Sequence, residues 1–226
     1  MQDFTFNPEV EQPKNFEQKC HCVLVLDVSG SMAGQPIDEL NRGLQEFQRE
    51  VTNDFTASQR LEVSIITFSS TVQCVQEPAL ITDFQMPTLT TTGTTKLVDA
   101  VRMGMTQIET RKAWYKNTGQ KYYRSILVLI TDGEPDKDQD MDSLASEVIS
   151  GVNNKKFIIF GLGVRGYNHT ILSKICPPDM PPKALDGYKF SEFFKWLSNS
   201  ISIITASNEG AKVSFSSTDG WAQQTI

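Results

Sequence analysis

Val23-Leu24-Val25-Leu26-Asp27-Val28-Ser29-Gly30-Ser31 decides how this chain folds. Four consecutive apolar residues, two of them β-branched, make a strand buried on both faces, as strands of a parallel sheet are. The run ends abruptly in a carboxylate and two hydroxyls, and the segment after Gly34-Gln35-Pro36 has helical periodicity. A strand that delivers polar side chains into a tight loop before a helix lies at the carboxyl edge of an open α/β sheet, where such sheets form their sites. Alternate residues of an extended loop point the same way, so Asp27, Ser29 and Ser31 converge. One anion and two neutral oxygens form part of a shell for a hard divalent cation.

Outward from this stretch, Ile37, Leu40, Leu44, Phe47 and Val51 recur at helical spacing. Pro36 suits a first helical position, and Asp38 and Glu39 suit the positive end of the helix dipole. Leu61–Phe68 has strand composition, with Val72–Val75 as its hairpin neighbour across Ser69-Ser70. A loop holding Pro78 and Pro87 then leads to Thr90-Thr91-Thr92-Gly93-Thr94-Thr95 and a helix carrying Leu97, Val98, Val101, Met105 and Ile108. Residues 111–124 mix Arg111, Lys112, Lys116, Lys121 and Arg124 with Trp114, Tyr115, Tyr122 and Tyr123; a solvated connector whose aromatics pack down is expected, with a docking surface as the rival. Ser125–Thr131 repeats the logic of the first strand and ends in Asp132-Gly133-Glu134-Pro135.

Asp136, Asp138, Asp140 and Glu147 imitate the offsets of a calcium loop. Met141 stands where the turn needs glycine, however, and a strand precedes the segment, so an acidic first turn before Leu144, Val148 and Ile149 is the expectation. Phe157–Gly163 is a further buried strand, followed by a short helix through Ile171, Leu172 and Ile175. A proline-rich turn, an edge strand over 185–188 and a helix capped by Ser191 follow, the helix holding Phe193, Phe194, Trp196, Leu197, Ile201 and Ile204. The expected organisation is an arm over 1–19, one domain over 20–205, and a tail or surface strand over 206–226 packed on the same domain. Strands alternating with helices give a doubly wound, mostly parallel α/β sheet with one antiparallel edge strand and helices on both faces.

Composition narrows the function. The 226 residues suffice for one domain with a sizeable core. A formal net charge of −6 argues against nucleic acid, whose phosphates call for a basic face, and against anionic membrane surfaces. No apolar run reaches membrane-spanning length, and the first residues lack a signal peptide's pattern. Cys20, Cys22, Cys74 and Cys176 are too few and scattered for a disulfide framework. Cys20-His21-Cys22 departs from zinc spacing, and its cysteines are expected as small buried hydrophobes on one strand face. The cytoplasm is the expected compartment.

The first strand and the strand before Asp132 are expected as neighbours, with the Gly93–Thr95 loop between them, so that Asp27, Ser29, Ser31, Thr95 and Asp132 meet. Asp27-x-Ser29-x-Ser31, Gly93-Thr94-Thr95-Lys96-Leu97 and Thr131-Asp132-Gly133-Glu134-Pro135 together resemble the metal-ion-dependent adhesion site of von Willebrand factor type A domains. Tyr123-Arg124 and Phe193-Phe194-Lys195-Trp196-Leu197-Ser198 look like the cytoplasmic bacterial TerY-type members of tellurite-resistance and stress loci. The resemblance implies Mg²⁺ or Mn²⁺, rather than Ca²⁺, held by the aspartate and two serines, with the threonine and second aspartate direct or through water. Thr95 aligns with the ligand threonine and Thr94 is its alternative, because Gly93-Thr94-Thr95 stands where Gly-Gly-Thr is common. A partner's Asp or Glu would complete the shell, and the TerY likeness implies a protein kinase and a PP2C-like phosphatase as neighbours. A metal-assisted phosphatase or hydrolase is the rival from another class. It needs a general base or nucleophile, and neither His21 nor His169 is expected at the sheet edge, so no catalysis is expected. An extracellular adhesion domain is the rival that shares the fold.

Overall fold

The computed structural model describes residues 12–132, 134–164, 166–185 and 190–207. Six strands form one sheet: β1 (Cys20–Asp27), β2 (Leu61–Phe68), β3 (Val72–Leu80), β4 (Ser125–Thr131), β5 (Phe157–Val164) and β6 (Lys183–Leu185). Their order is β3-β2-β1-β4-β5-β6. All neighbours run parallel except β2 and β3. The helices are α1 (Gln35–Asn53), α2 (Phe55–Arg60), α3 (Leu97–Asn117), α4 (Met141–Asn153), α5 (His169–Ile175) and α6 (Phe190–Ala206). Among the described residues no helix is long and apolar enough to cross a membrane.

Period-two alternation divides β1 between two cores. Cys20, Cys22, Leu24 and Leu26 join Leu40, Leu44, Phe47, Phe194 and Leu197 of α1 and α6. Val23 and Val25 join Val98, Val101 and Ile108 of α3 with Leu144 and Val148 of α4. All four cysteines are free thiols, Cys20 and Cys22 fully buried. Gly104 lets α3 close on the sheet, since a Cβ there would stand 3.0 Å from Val25 and 3.2 Å from Leu127. The chain winds to one side of β1 through β2 and β3, then crosses to β4 on the other. That switch between β1 and β4 opens the crevice in which open α/β sheets place their sites.

Three expectations change and one helix is unforeseen. Pro78 lies inside β3 rather than in a loop. A proline is tolerated there because β3 is an edge strand among the described residues and Pro78 falls where its register against β2 shifts, between Gln76 and Ala79. Residues 111–117 belong to α3, and Arg111, Trp114 and Tyr115 are buried, leaving a connector of 118–124. Helix α2, capped by the Asp54 carboxylate accepting from Thr56 and Ala57 N–H, occupies a stretch with no apolar period long enough to announce it. Ser191 lies within α6, which begins at Phe190. Of the expected edge strand over 185–188, only Leu185 is described, as the end of β6; the tail over 208–226 and Gly133 also lie outside the described residues.

Candidate metal centre

Asp27 is the last residue of β1, and its neighbours explain why a carboxylate is held there without exposure to water. The backbone N–H of Ser29 donates to Oδ1 at 2.8 Å, and the Thr131 hydroxyl, last on β4, donates to Oδ2 at 2.6 Å. From Asp27 an oxygen chain runs outward. The Ser29 and Ser31 hydroxyls are 3.0 Å apart, and Ser31 Oγ donates to Asp132 Oδ1 at 2.8 Å. Ser29 is buried, Asp132 half-buried and Ser31 exposed, so the cluster opens to solvent at one end. Four of the five expected ligand residues are thus brought together.

Burial is the largest influence on both acids and raises both carboxyls above the ordinary aspartate range. For Asp27 the Ser29 and Thr131 bonds oppose the rise and the charge of Asp132 adds to it. For Asp132 the Ser31 bond opposes it. Among the described residues no lysine or arginine pairs with either carboxylate. Two acids and neighbouring hydroxyls with no cationic side chain among them suit a hard divalent ion, which prefers oxygen donors. The residues present fit the group.

The threonine loop joins this cluster through its backbone. Gly30 N–H donates to the Gly93 carbonyl at 3.1 Å, Thr92 N–H to the Val28 carbonyl at 2.8 Å, and Lys96 N–H to the Ser69 carbonyl at 2.9 Å. Gly93 has φ +72°, and a Cβ there would collide with Ser70, so only glycine serves. The Thr94 hydroxyl donates to Asp136 Oδ2 at 2.8 Å, and its N–H donates to Ser70 Oγ at 2.9 Å. Thr95 exchanges backbone bonds with Asp136, at 3.3 Å to Oδ1 and 3.1 Å from the Asp136 N–H. Its own hydroxyl, on a residue only 7 % exposed, makes no hydrogen bond with the described residues. No direct bond links Thr95 to Asp27, Ser29, Ser31 or Asp132 among those residues.

The sequence did not single out three contributors. Thr131 presented itself as a β-former, Ser70 as part of a hairpin turn, and Asp136 as a piece of a false calcium loop. A hydroxyl at the end of β4, beside the end of β1, was the available signal for Thr131. The acidic start of α4 resolves into separate tasks, with Asp136 bracing the threonine loop and Asp140 capping the helix at the Ser143 N–H. His169 corrects an expectation. It opens α5 after the carboxyl end of β5, beside Asn168, which donates to Glu134 at 2.7 Å. Its ring nitrogen Nδ1 meets the Tyr167 hydroxyl at 3.0 Å and no carboxylate of the centre among the described residues. His21 is buried at the far end of β1.

The family model for the von Willebrand factor type A domain matches residues 22–195. The chain belongs to that family. Among solved structures, it is similar to the pilus adhesin SpaC from Lactobacillus rhamnosus GG in its open conformation (TM-score 0.66, 14 % identity, 86 % of this chain and 31 % of SpaC). It is also similar to the ArnB paralog VWA2 from Sulfolobus acidocaldarius (TM-score 0.55, 16 % identity, 82 % of this chain and 46 % of that one). A third is proximal thread matrix protein 1 from the mussel byssus with a zinc-occupied MIDAS motif (TM-score 0.54, 14 % identity, 84 % and 47 %). The chain therefore spans less than half the length of these three type A structures, and at such identities the likeness speaks for the fold. No curated protein matches the sequence.

Proposed function

We propose that this type A domain is a metal-dependent protein-interaction module in which Asp27, Ser29, Ser31, Thr95 and Asp132 hold Mg²⁺ or Mn²⁺, and a partner's Asp or Glu binds through that ion. One observation carries the reading: a carboxylate with no exposure, next to a second acid, faces no positive side chain among the described residues. Charge held out of water calls for a counter-charge, and a divalent cation is the species that this oxygen set would accept. The bound ion would supply a positive centre for an outside carboxylate. Few carboxylates and room for retained waters suit Mg²⁺ or Mn²⁺ over Ca²⁺, which takes more oxygens. Thr95 is preferred to Thr94 because Asp136 already engages the Thr94 hydroxyl.

A binding role is preferred to hydrolysis because, among the described residues, no histidine, cysteine or lysine is bonded to the cluster, and such chemistry needs a base or nucleophile at the metal. We propose further, on the TerY-type likeness of Tyr123-Arg124 and Phe193–Ser198, that the module works in a cytoplasmic bacterial tellurite-resistance or stress system, with a protein kinase and a PP2C-like phosphatase as partner classes. The rival reading, an extracellular adhesion domain, draws on the similarity to SpaC, a pilus adhesin. Fractionating cells that express the full gene separates the two compartments.

The test compares wild type with Asp27→Ala/Ser29→Ala by calorimetric Mn²⁺ titration and by co-purification with and without chelator. Saturable Mn²⁺ binding to wild type alone, with a partner lost on chelation, is the expected result. Equal partner recovery in both buffers, or no wild-type binding, overturns the proposal.

A further inference from the structure

Beside the centre lies a groove that its chemistry leaves unused. A cavity of about 220 Å³ opens between β3 and the extended segment 87–92, floored by Val28, Thr67 and Ser69 and walled by Thr71, Val75 and Thr90, among others. At the ~30 Å³ that a water occupies in the liquid, this is space for about seven waters. No charged residue lines it, although the chain carries 48 charged side chains in 226 residues.

Three observations give the groove a purpose. It is continuous with the metal loops, since Val28, Ser69 and Thr92 supply backbone groups that hold the Gly93–Lys96 turn in place. It contains idle donors: the Thr67 and Ser69 residues are 7 % and 4 % exposed, yet neither hydroxyl bonds to a described residue. Both hydroxyls lie open to the groove and are not sealed in the protein, so an entering backbone can bond to them. Its outer wall is also fixed in advance at Leu89 by an amide of α1, and two further amides on that helix hold the segment 81–86 that leads into it. Asn41 exchanges bonds of 3.0 and 2.8 Å with Leu89, Gln45 donates to the Met86 carbonyl at 3.1 Å, and Gln48 donates to the Ile81 and Phe84 carbonyls while accepting from Met86 N–H. A wall fixed beforehand reduces the ordering that binding would otherwise cost.

We infer that this groove receives the stretch of the partner adjoining its metal-bound carboxylate, and that this stretch is extended, small and uncharged; the inference rests on the metal-dependent reading above. Charge sets the direction. Beyond Asp132 the loop carries Glu134, Asp136, Asp138 and Asp140 against a single Lys137, which repels an acidic segment approaching from that side. The groove side offers hydroxyls to backbone carbonyls and amides and imposes no such repulsion.

A random-peptide display library selected on the Mn²⁺-loaded full chain, with elution by chelator, tests this. Recovered peptides are then titrated against wild type, Asp27→Ala, Val75→Trp and Thr90→Trp. Both groove positions are exposed, so the tryptophans fill the cavity without disturbing the core, and an unchanged Mn²⁺ titration verifies this. The expected result is peptides with one Asp or Glu flanked on one side by uncharged residues, weakened about tenfold or more by either tryptophan. Peptides that bind the groove variants as tightly as wild type, yet fail on Asp27→Ala, overturn the groove and leave the metal reading standing. Peptides indifferent to Asp27→Ala, or no chelator-eluted peptides at all, overturn both.

Discussion

The two ends of the central strands bury carboxylates in opposite ways. At the amino end Glu62 of β2 is 3 % exposed, and Arg111, reaching in from the last turns of α3, holds it with Nε to Oε2 at 2.7 Å and Nη2 to Oε1 at 2.8 Å. The Tyr115 hydroxyl adds a bond at 2.5 Å, and the Arg111 guanidinium lies 3.8 Å from the centre of the Trp114 ring. Burial works to raise the Glu62 carboxyl, but Arg111 and Tyr115 outweigh it and the net displacement is downward. Lys19, tied to carbonyls of Glu17 and Gln59 and to the Asn15 side chain, is brought down by burial to about 8. At the carboxyl end Asp27 and Asp132 are displaced upward, with hydroxyls and no cation against them among the described residues. The same sheet therefore neutralises one acid with a cation of its own and gives the other pair only hydroxyl and N–H partners among the described residues. The first arrangement is architecture, and the second is the one proposed above as a metal site.

Breaking the amino-end pair gives the largest expected effect. Arg111→Met strands Glu62 in the interior and lowers stability by about 3–5 kcal/mol, read by denaturant unfolding, while Mn²⁺ affinity stays constant. A parallel fall in Mn²⁺ affinity would show the ends to be coupled and defeat the contrast.

His21 comes next. It sits opposite Glu62 in the β1–β2 register, its Nε2 lies 3.0 Å from Ser64 Oγ, and burial holds it down to about 4 against an ordinary 6.5. The unfolded chain takes up this proton first on acidification. His21 therefore contributes stability above about 6.5 that is lost as pH falls towards about 4, up to about 3 kcal/mol in all. His21→Gln should flatten the stability–pH curve across that window.

Thr131→Val sharpens the carboxyl side by removing a bond that orients Asp27, and a Mn²⁺ affinity about 10-fold lower is expected by calorimetry. Asp136→Asn weakens only the brace on the threonine loop, for which a loss of less than about tenfold is expected in the same titration. Smallest is Asp27→Asn without metal: removing a charge that no side chain compensates leaves thermal unfolding no lower than wild type. A clear drop would mean that Asp27 is structural after all.

The carboxyl end was the more legible of the two in the sequence, for a local reason. Asp27, Ser29 and Ser31 lie within five residues, and the apolar run before them fixes where they emerge. Asp132 follows a second run of the same kind, so the switch between β1 and β4 was foreseeable. Arg111 and Glu62 are 49 positions apart, and nothing in the composition of 111–124 says that a cation there is spoken for. The aromatics of that segment were expected to pack down, and Trp114 and Tyr115 do so, but on a helix that continues to Asn117. Pro78 misled because a proline signals a strand's end unless the strand is known to border the sheet, which is a property of topology and not of local sequence.

That border has a further consequence. Among the described residues strand β3 has a neighbour on one side only, the ordinary starting point for accidental stacking of a second molecule. Pro78 has no N–H to offer, the pairing around it is irregular, and exposed Glu77 beside it adds charge. On the proposed reading, in which a partner lies in the groove beside β3, a nearest margin that resists self-polymerisation is an advantage. Replacing Pro78 with a β-former should therefore show first as turbidity in concentrated solution, not as a change in fold.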